Sequence, residues 1–473
     1  MENADSLPEV WKWNVNTNPT SGHVAVLLID VPDVDEGASL SWRDVPGFPI
    51  MGYQRAQVYL RYRGMPYAKL SLNLDDEGYP HELFPEVRPE SRRTIASGEP
   101  LLEAMPEFPL VTIVVSTAGL RPDLLKRCIK SLIALSYPAY EIVVVDNRSP
   151  SMFDEGTEIW SESWIEESES ARKVTIVRER RPGLSYARNT GVAAAHGEIV
   201  AFTDDDVEVD TNWLSSIVDA FNSSTKVQCV TGLVIPAELE TEAQELFEIF
   251  CSGFDRGFVP RSWIMPSRES PNRNFLKRST FLVTESGSSD HSPAQSLYAA
   301  IGNCGVGANM AVRREFALRC PFDVALGVGS IAQGGEDIRF YADVLWAGFG
   351  IMYVPNSIVR HTHRRDMEAL ESQMRGFGVG YTALIVSLVL EDLRHLFGLA
   401  ICGAPIALLR WVRSAFSGQS AAEGRDQQAS YPASLRRNEL IGMMLGPWRY
   451  LRSRIRVRSL ERVENKWSAS SPP

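Results

Sequence analysis

Arg181–Asp206 reads RPGLSYARNTGVAAAHGEIVAFTDDD, and this stretch decides the fold. Tyr186–Ala195 is a helical run closed at Gly197. Glu198–Thr203 is an apolar strand with three consecutive carboxylates behind it. The same alternation recurs on either side. Leu110–Ser116 is a continuous apolar strand, and Pro122–Leu135 places Leu124, Leu125, Cys128 and Leu132 at helical spacing. Tyr140–Asp146 and Val174–Arg178 are two more strands, and Ile351–Val359 is the last before a helical end. Strands and helices joined by short connections predict an α/β fold, a mostly parallel sheet with helices on both faces. Ligands of such sheets bind beyond the carboxyl ends of the strands, so the residues just after each strand carry the most weight.

Residues 1–105 form a first region, with strand-like runs at Val24–Val31, Gln57–Arg63 and Tyr67–Leu74 and turns at Gly64, Pro66 and Gly78. We read it as a small, mainly β module with no legible chemistry. Residues 106–380 hold the α/β domain and 381–473 a helical, basic end. Two segments interrupt the rhythm. Glu155–Lys173 has the composition of a solvated insertion. Phe254–Ser296 reads as a long irregular loop whose Arg256, Trp263, Arg268, Arg273 and Phe275 suit acceptor recognition.

The 473 residues carry a net charge of −11, which gives no support to general nucleic-acid binding. Six cysteines lie far apart with no CxxC pair, a pattern of buried thiols and not of a disulfide scaffold. The first twenty residues lack the basic and apolar segments of a secretory signal, so a cytoplasmic location is expected. No apolar run reaches the roughly 20 residues of a spanning helix. Val379–Leu390 and Leu396–Leu409 are shorter, and Arg410–Lys466 behind them has twelve Lys or Arg against five acids. Short apolar helices before a basic tail suit peripheral attachment to an anionic membrane surface, on the inner face of the cell membrane. The plainer alternative is packing on the core or in a dimer.

The strongest chemical feature is Asp204-Asp205-Asp206. Three carboxylates at one strand end repel, and a divalent cation, Mg²⁺ or Mn²⁺, would relieve that cost. An acidic solvated turn explains the triplet equally well. Asp146 ends another strand, where it could accept from a base or ribose. Arg188, on the helix behind Ser185, could reach a diphosphate. Gly334-Gly335-Glu336-Asp337 opens a helix. Its glycines would let the backbone approach a ligand, and an acid there could deprotonate a hydroxyl. Acids also suit any first helical turn. His361 and His363 follow the last strand, and either could bind a metal.

Together and in this order, the pieces resemble the family 2 glycosyltransferases. They are VTIVVSTAGLRPDLLKRCIKSL, YEIVVVDNRS, RPGLSYARNTGVAAAHGEIVAFTDDD, GNCGVGANMAVRRE, FDVALGVGS, GGEDIRFYADVLWAGFGIMYVPNSIVRHTHR and QMRGFGVGY, spanning Pro109 to Tyr381. The resemblance implies a GT-A, Rossmann-like fold and transfer of a single sugar, with inversion, from a nucleoside-diphosphate donor, a UDP-sugar first, to a glycan or lipid-linked acceptor. It implies that Thr117, Arg121 and Asp146 surround the nucleoside, that Arg188, Asp204 and Asp205 lie at the nucleotide sugar, and that Asp204 and Asp206 hold the metal with His361 in preference to His363. Asp337 would be the general base and Glu336 its support. The hundred residues before the domain, and Gln373-Met374-Arg375-Gly376 in place of a processive Gln-x-x-Arg-Trp motif, depart from the family pattern. Two rivals are a nucleotidyltransferase and a non-catalytic nucleotide-sugar-binding module. Ser116–Arg121 lacks the lysine and glycine density of a triphosphate loop, and the acids of a working transferase are intact.

Overall fold

The computed structural model describes residues 23–31, 41–45, 47–81, 108–149, 174–250, 254–265, 278–287, 294–403 and 432–470. Glu155–Lys173 up to residue 173, and Arg268, Arg273 and Phe275, lie outside them, as do residues 404–431 of the apolar and basic end.

The alternating runs near the start form a three-stranded sheet. β1 (Val24–Asp30) pairs parallel with β2 (Arg55–Tyr62), and β2 antiparallel with β3 (Met65–Asn73). It buries a core of its own that includes Trp42, Val58, Leu60 and Leu72. Charges clip it to the rest of the chain. Arg61 Nη1 donates to Asp210 Oδ2 at 2.8 Å, and Arg55 grips both oxygens of Glu245 at 2.9 Å.

The main sheet has 11 strands. β4 (Val111–Thr117) lies between β5 (Tyr140–Asp146) and β7 (Ile199–Asp204), with β6 (Val174–Arg178) outside β5, all parallel. β4, β5 and β7 are continuous apolar runs, buried because both faces of the sheet are covered, whereas β6 at the sheet edge stays largely exposed. Beyond β7 the sheet is mixed. β13 (Met310–Arg313) runs antiparallel to both β7 and β9 (Val227–Pro236), and β9 is parallel to β14 (Gly350–His361). β8 (Val207–Val209) returns against the end of β14. The parallel arrangement expected from the sequence thus holds for the half that carries strand–helix alternation. β13, with only four residues, could not be read from periodicity.

The stretch Phe254–Ser296 is not an irregular loop where it is described. It supplies the edge strands β10 (Arg261–Ile264), β11 (Leu282–Ser286) and β12 (Gln295–Ser296). Trp263 points into the core and is 1% exposed, so it cannot face an acceptor.

Helices cover both faces. α1 (Pro122–Ile133) and α3 (Trp213–Ser223) pack on one side, while α2 (Leu184–Ala194), α5 (Glu336–Trp346) and α6 (Met367–Glu391) pack on the other. α4 (Glu242–Phe250) lies beside the end of α6. By length and composition α6 could cross a membrane, which the interrupted apolar run in the sequence did not suggest. Here Ala383, Leu384 and Leu388 are buried in the core, and the helix pairs with α7 (Ala433–Ser470). Glycines set that pairing: a Cβ on Gly378 would stand 2.1 Å from Glu439 O, and one on Gly442 2.2 Å from Arg375 O. Cys128, Cys229, Cys304 and Cys402 are free and buried and Cys320 is free and half-buried, as the spacing implied.

Candidate active site

The carboxyl ends of β4 and β7 bring Thr117, Arg121 and the acidic triplet together. Thr117 Oγ1 donates to Asp205 Oδ2 at 2.7 Å, and Arg121 Nη2 donates to Asp205 Oδ1 at 2.8 Å. Arg121 Nη1 donates to Asp206 Oδ2 at 2.5 Å. β14 ends beside them, because β8 pairs His361 with Val207, the residue after the triplet. His361 Nε2 stands 3.4 Å from Asp206 Oδ1. Asp204, Asp206 and His361 each offer a ligand atom within 4.8 Å of the others. Two carboxylates and an imidazole are a donor set that suits Mg²⁺ or Mn²⁺ with open positions for a substrate.

The electrostatics agree with that reading. Burial pushes the Asp204 carboxyl up to about 6, against the pull of Arg188. Burial also raises Asp205, although Arg121 opposes it. Asp206 is buried too, but the Arg121 guanidinium bonded to it holds it below its ordinary value. Burial lowers His361 to about 4, so it is a neutral imidazole with a lone pair to give. These three acids and Glu336 pair with two guanidiniums, those of Arg121 and Arg188, so the site is under-neutralised, and a divalent cation would supply the missing charge.

The second half of the site is built on Arg188. Its side chain is buried, donates from Nη1 to Glu336 Oε1 at 2.9 Å, and lies 3.5 Å from Asp204 Oδ1. It is no surface arginine: it ties the triplet to the start of α5. Gly307 makes room for it, since a Cβ there would stand 2.6 Å from Arg188 Nη2. The same Gly307 donates its N–H to Asp337 Oδ2 at 2.9 Å, and Ile338 N donates to Oδ1 at 2.8 Å. Asp337 remains half-buried and reachable, whereas Glu336 is buried against Arg188. Burial and the Asp337 charge push Glu336 up to about 7 although Arg188 pulls the other way.

The two glycines before these acids serve a contact the sequence did not reveal. Gly335 has φ +84°, and a Cβ on it would stand 2.6 Å from Gly380 O; one on Gly380 would stand 2.8 Å from Gly334 C. The backbone they approach here is that of α6. Asp146 is likewise engaged within the protein, by Arg148, whose Nη2 donates to Oδ2 at 3.0 Å. Asn147 accepts from Gly183 N at 3.0 Å and donates to the carbonyls of Glu179 and Arg181, so it fixes the turn before α2. Arg148, Asn147, Gly307 and Glu248 contact these residues and were not assigned from the sequence, whereas His363 was weighed there as the alternative to His361. Only the pair His361/His363 carried a signal.

A partly parallel sheet covered on both faces, with an acidic triplet at the strand ends, is the GT-A class of fold. Within it, residues 112–287 match the family model described as Glycosyl transferase family 2. The match ends before Glu336, Asp337 and His361, which join the site by geometry. The chain is similar to a glucosyl-dolichyl phosphate glucuronosyltransferase of Haloferax volcanii, 26% identical over 127 residues, covering 27% of this chain and 38% of that one. It is similar to the uncharacterized glycosyltransferase EpsJ of Bacillus subtilis, 31% identical over 170 residues, covering 36% of this chain and 41% of that one. The chain therefore spans less than half the length of these two curated relatives. Among solved structures it resembles the mannosyltransferase PcManGT from Pyrobaculum calidifontis in complex with GDP-Man and Mn²⁺, at 15% identity and TM-score 0.41, covering 76% of this chain and 94% of that one.

Proposed function

We propose that the protein transfers a single sugar from a nucleoside-diphosphate donor, a UDP-sugar first, to an acceptor hydroxyl, by direct displacement with inversion. The observation that carries this reading is the meeting of Asp204, Asp206 and His361 within 4.8 Å at the strand ends, in a family 2 domain. These three would hold Mg²⁺ or Mn²⁺, which supplies positive charge to the diphosphate oxygens. Arg121 orients Asp205 and Asp206, and Thr117 holds Asp205. Asp337 accepts the proton of the attacking hydroxyl. Its two backbone donors hold it in place, and it is the acid of its pair that solvent and substrate can reach. Glu336 and Arg188 connect this base to the triplet. A panel of nucleotide sugars, assayed with Mn²⁺ for hydrolysis and for a raised Tm, tests the reading. A panel with neither effect would count against it.

The acceptor we favour is a lipid-linked glycan, with the enzyme peripheral on an anionic membrane surface. α7 turns Leu435, Gly442, Gly446 and Tyr450 inward, and the opposite face shows Leu440, Met444, Trp448, Leu451 and Ile455 to solvent. Met444, Trp448 and Ile455 are each more than 60% exposed. An apolar stripe of this size marks an interaction surface. Between residues 433 and 462 the helix has eight arginines and two acids, in a chain of net charge −11. A second copy docking by twofold symmetry would set arginine against arginine, whereas an anionic leaflet accepts both the stripe and the charge. Co-sedimentation with anionic vesicles that weakens at high salt supports this placement. Protein that stays in the supernatant at low salt argues for a soluble acceptor.

A further inference from the structure

His363 lies behind the metal-ligand candidates and makes no contact with the acidic triplet. It nevertheless ends a chain of hydrogen bonds that leads into the site. His363 Nε2 stands 2.9 Å from Glu248 Oε1, and both side chains are buried. The other ring nitrogen, Nδ1, is 3.2 Å from Nδ1 of His361. His361 then presents Nε2 to Asp206. At the far end, Lys69 Nζ of β3 donates to Glu248 Oε2 at 3.1 Å. Phe247 lies edge-on to His363 with ring centres 4.8 Å apart, and Phe254 to His361 at 5.2 Å. With apolar rings on their flanks, the two imidazoles have few partners besides one another and the two carboxylates.

Counting donors fixes the order of the protons. Glu248 accepts from Lys69 and from His363, so His363 Nε2 carries the hydrogen. With its hydrogen on Nε2, His363 can accept at Nδ1, 3.2 Å from Nδ1 of His361. His361 must donate to it from Nδ1, which leaves the lone pair of His361 on Nε2, the nitrogen that faces Asp206. A buried carboxylate that orients a ligating imidazole is a familiar device. Here it acts through a second imidazole and is anchored from another sheet.

We propose that His363 is a positioning residue: held by Glu248 and Lys69, it keeps the His361 ring in the tautomer and orientation that offer Nε2 to a divalent cation. The N-terminal sheet is then a working part of the metal site, and its clips at Asp210, Glu245 and Glu248 keep Lys69 in register. The proposal rests on the metal reading given above and adds residues to it.

The test is Mn²⁺ binding to the full-length protein by calorimetry, without substrate, together with metal-free Tm. His363→Phe keeps a ring but loses the acceptor, and should weaken Mn²⁺ binding about 10–100-fold, the range for lost support of a ligating histidine. His363→Asn places an amide oxygen where Nδ1 stood and should recover a large part of that loss. Glu248→Gln and Lys69→Met should each weaken binding measurably, with metal-free Tm near the parent value. A merely structural His363 would lower Tm in step with affinity and would not be rescued by asparagine. Parent-like Mn²⁺ affinity in a folded His363→Phe or in Glu248→Gln overturns the proposal; if His363→Phe fails to fold, the nearly isosteric Glu248→Gln decides alone. A parent protein that binds no Mn²⁺, with Asp206→Asn indistinguishable from it, would instead sink the metal reading itself.

Discussion

One methyl group at Gly307 tests how the two halves of the site are joined. Gly307 is not in a left-handed conformation, so alanine is no problem for the backbone. The cost of Gly307→Ala is steric. The new Cβ would lie 2.6 Å from Arg188 Nη2 and 2.8 Å from Nη1, against about 3.4 Å for an ordinary contact. The guanidinium, or the 307 backbone, has to move by about 0.8 Å, the difference between those distances. On an exposed arginine such a shift would cost little. Arg188 is buried, bonded to Glu336 at 2.9 Å, and lies over the rings of Phe202 and Phe322. Moving it stretches a charge-assisted bond beyond hydrogen-bond length. Moving the backbone instead shifts the N–H that holds Asp337 Oδ2. Overpacking of this kind costs roughly 1–3 kcal/mol. Misplacing a catalytic group by about 1 Å can cost ~10²-fold in rate. The variant should therefore lose roughly 10–100-fold in kcat, with Tm a few degrees lower, while Mn²⁺ binding falls less because Asp206 and His361 are not touched. Steady-state transfer or donor hydrolysis, calorimetry and thermal unfolding measure the three. A kcat within twofold of the parent at unchanged Tm would refute the view that Arg188 and Asp337 are rigidly coupled through this residue.

Asp337→Asn should keep donor affinity and lose ~10²–10⁴-fold in turnover; a loss under tenfold would move the base elsewhere. Asp206→Asn and EDTA should each nearly abolish transfer with the fold intact, and full activity in chelator would remove the metal. Glu336 holds its proton up to about 7 when folded, against an ordinary value of 4.5. The folded state thus binds that proton more tightly than the unfolded one, so its contribution to stability is full below about 4.5 and is lost as pH rises through 7. Metal-free Tm measured in EDTA from pH 4.5 to 7.5 should show a smaller fall in Glu336→Gln than in the parent, and matching slopes would refute the shift. Met444→Ser with Trp448→Ser should release the protein from anionic vesicles without changing Tm or donor hydrolysis, and undiminished sedimentation would exclude the α7 face.

The sequence by itself determined the elements that local pattern encodes. Apolar runs announced β4, β5 and β7, the last two ending in acids, and the alternating runs announced β2 and β3, because side-chain periodicity is a property of the chain within ten residues. The acidic triplet, Glu336–Asp337 and the histidine pair could be named for the same reason: each is a short string behind a strand or at a helix start. Tertiary structure alone decided how they are joined. The partners of Arg188 cannot be read from its helix: Gly307, about 120 residues on, opens a slot for it and Glu336 closes on it. The glycines of Gly334-Gly335 read as a ligand loop until Gly380 comes within contact distance. His363 and Glu248 are 115 residues apart and meet only because α4 and the end of β14 share one corner. Such pairings are set by which buried donors and acceptors can satisfy one another once the sheet has formed, and nothing in the spacing of either residue records its partner.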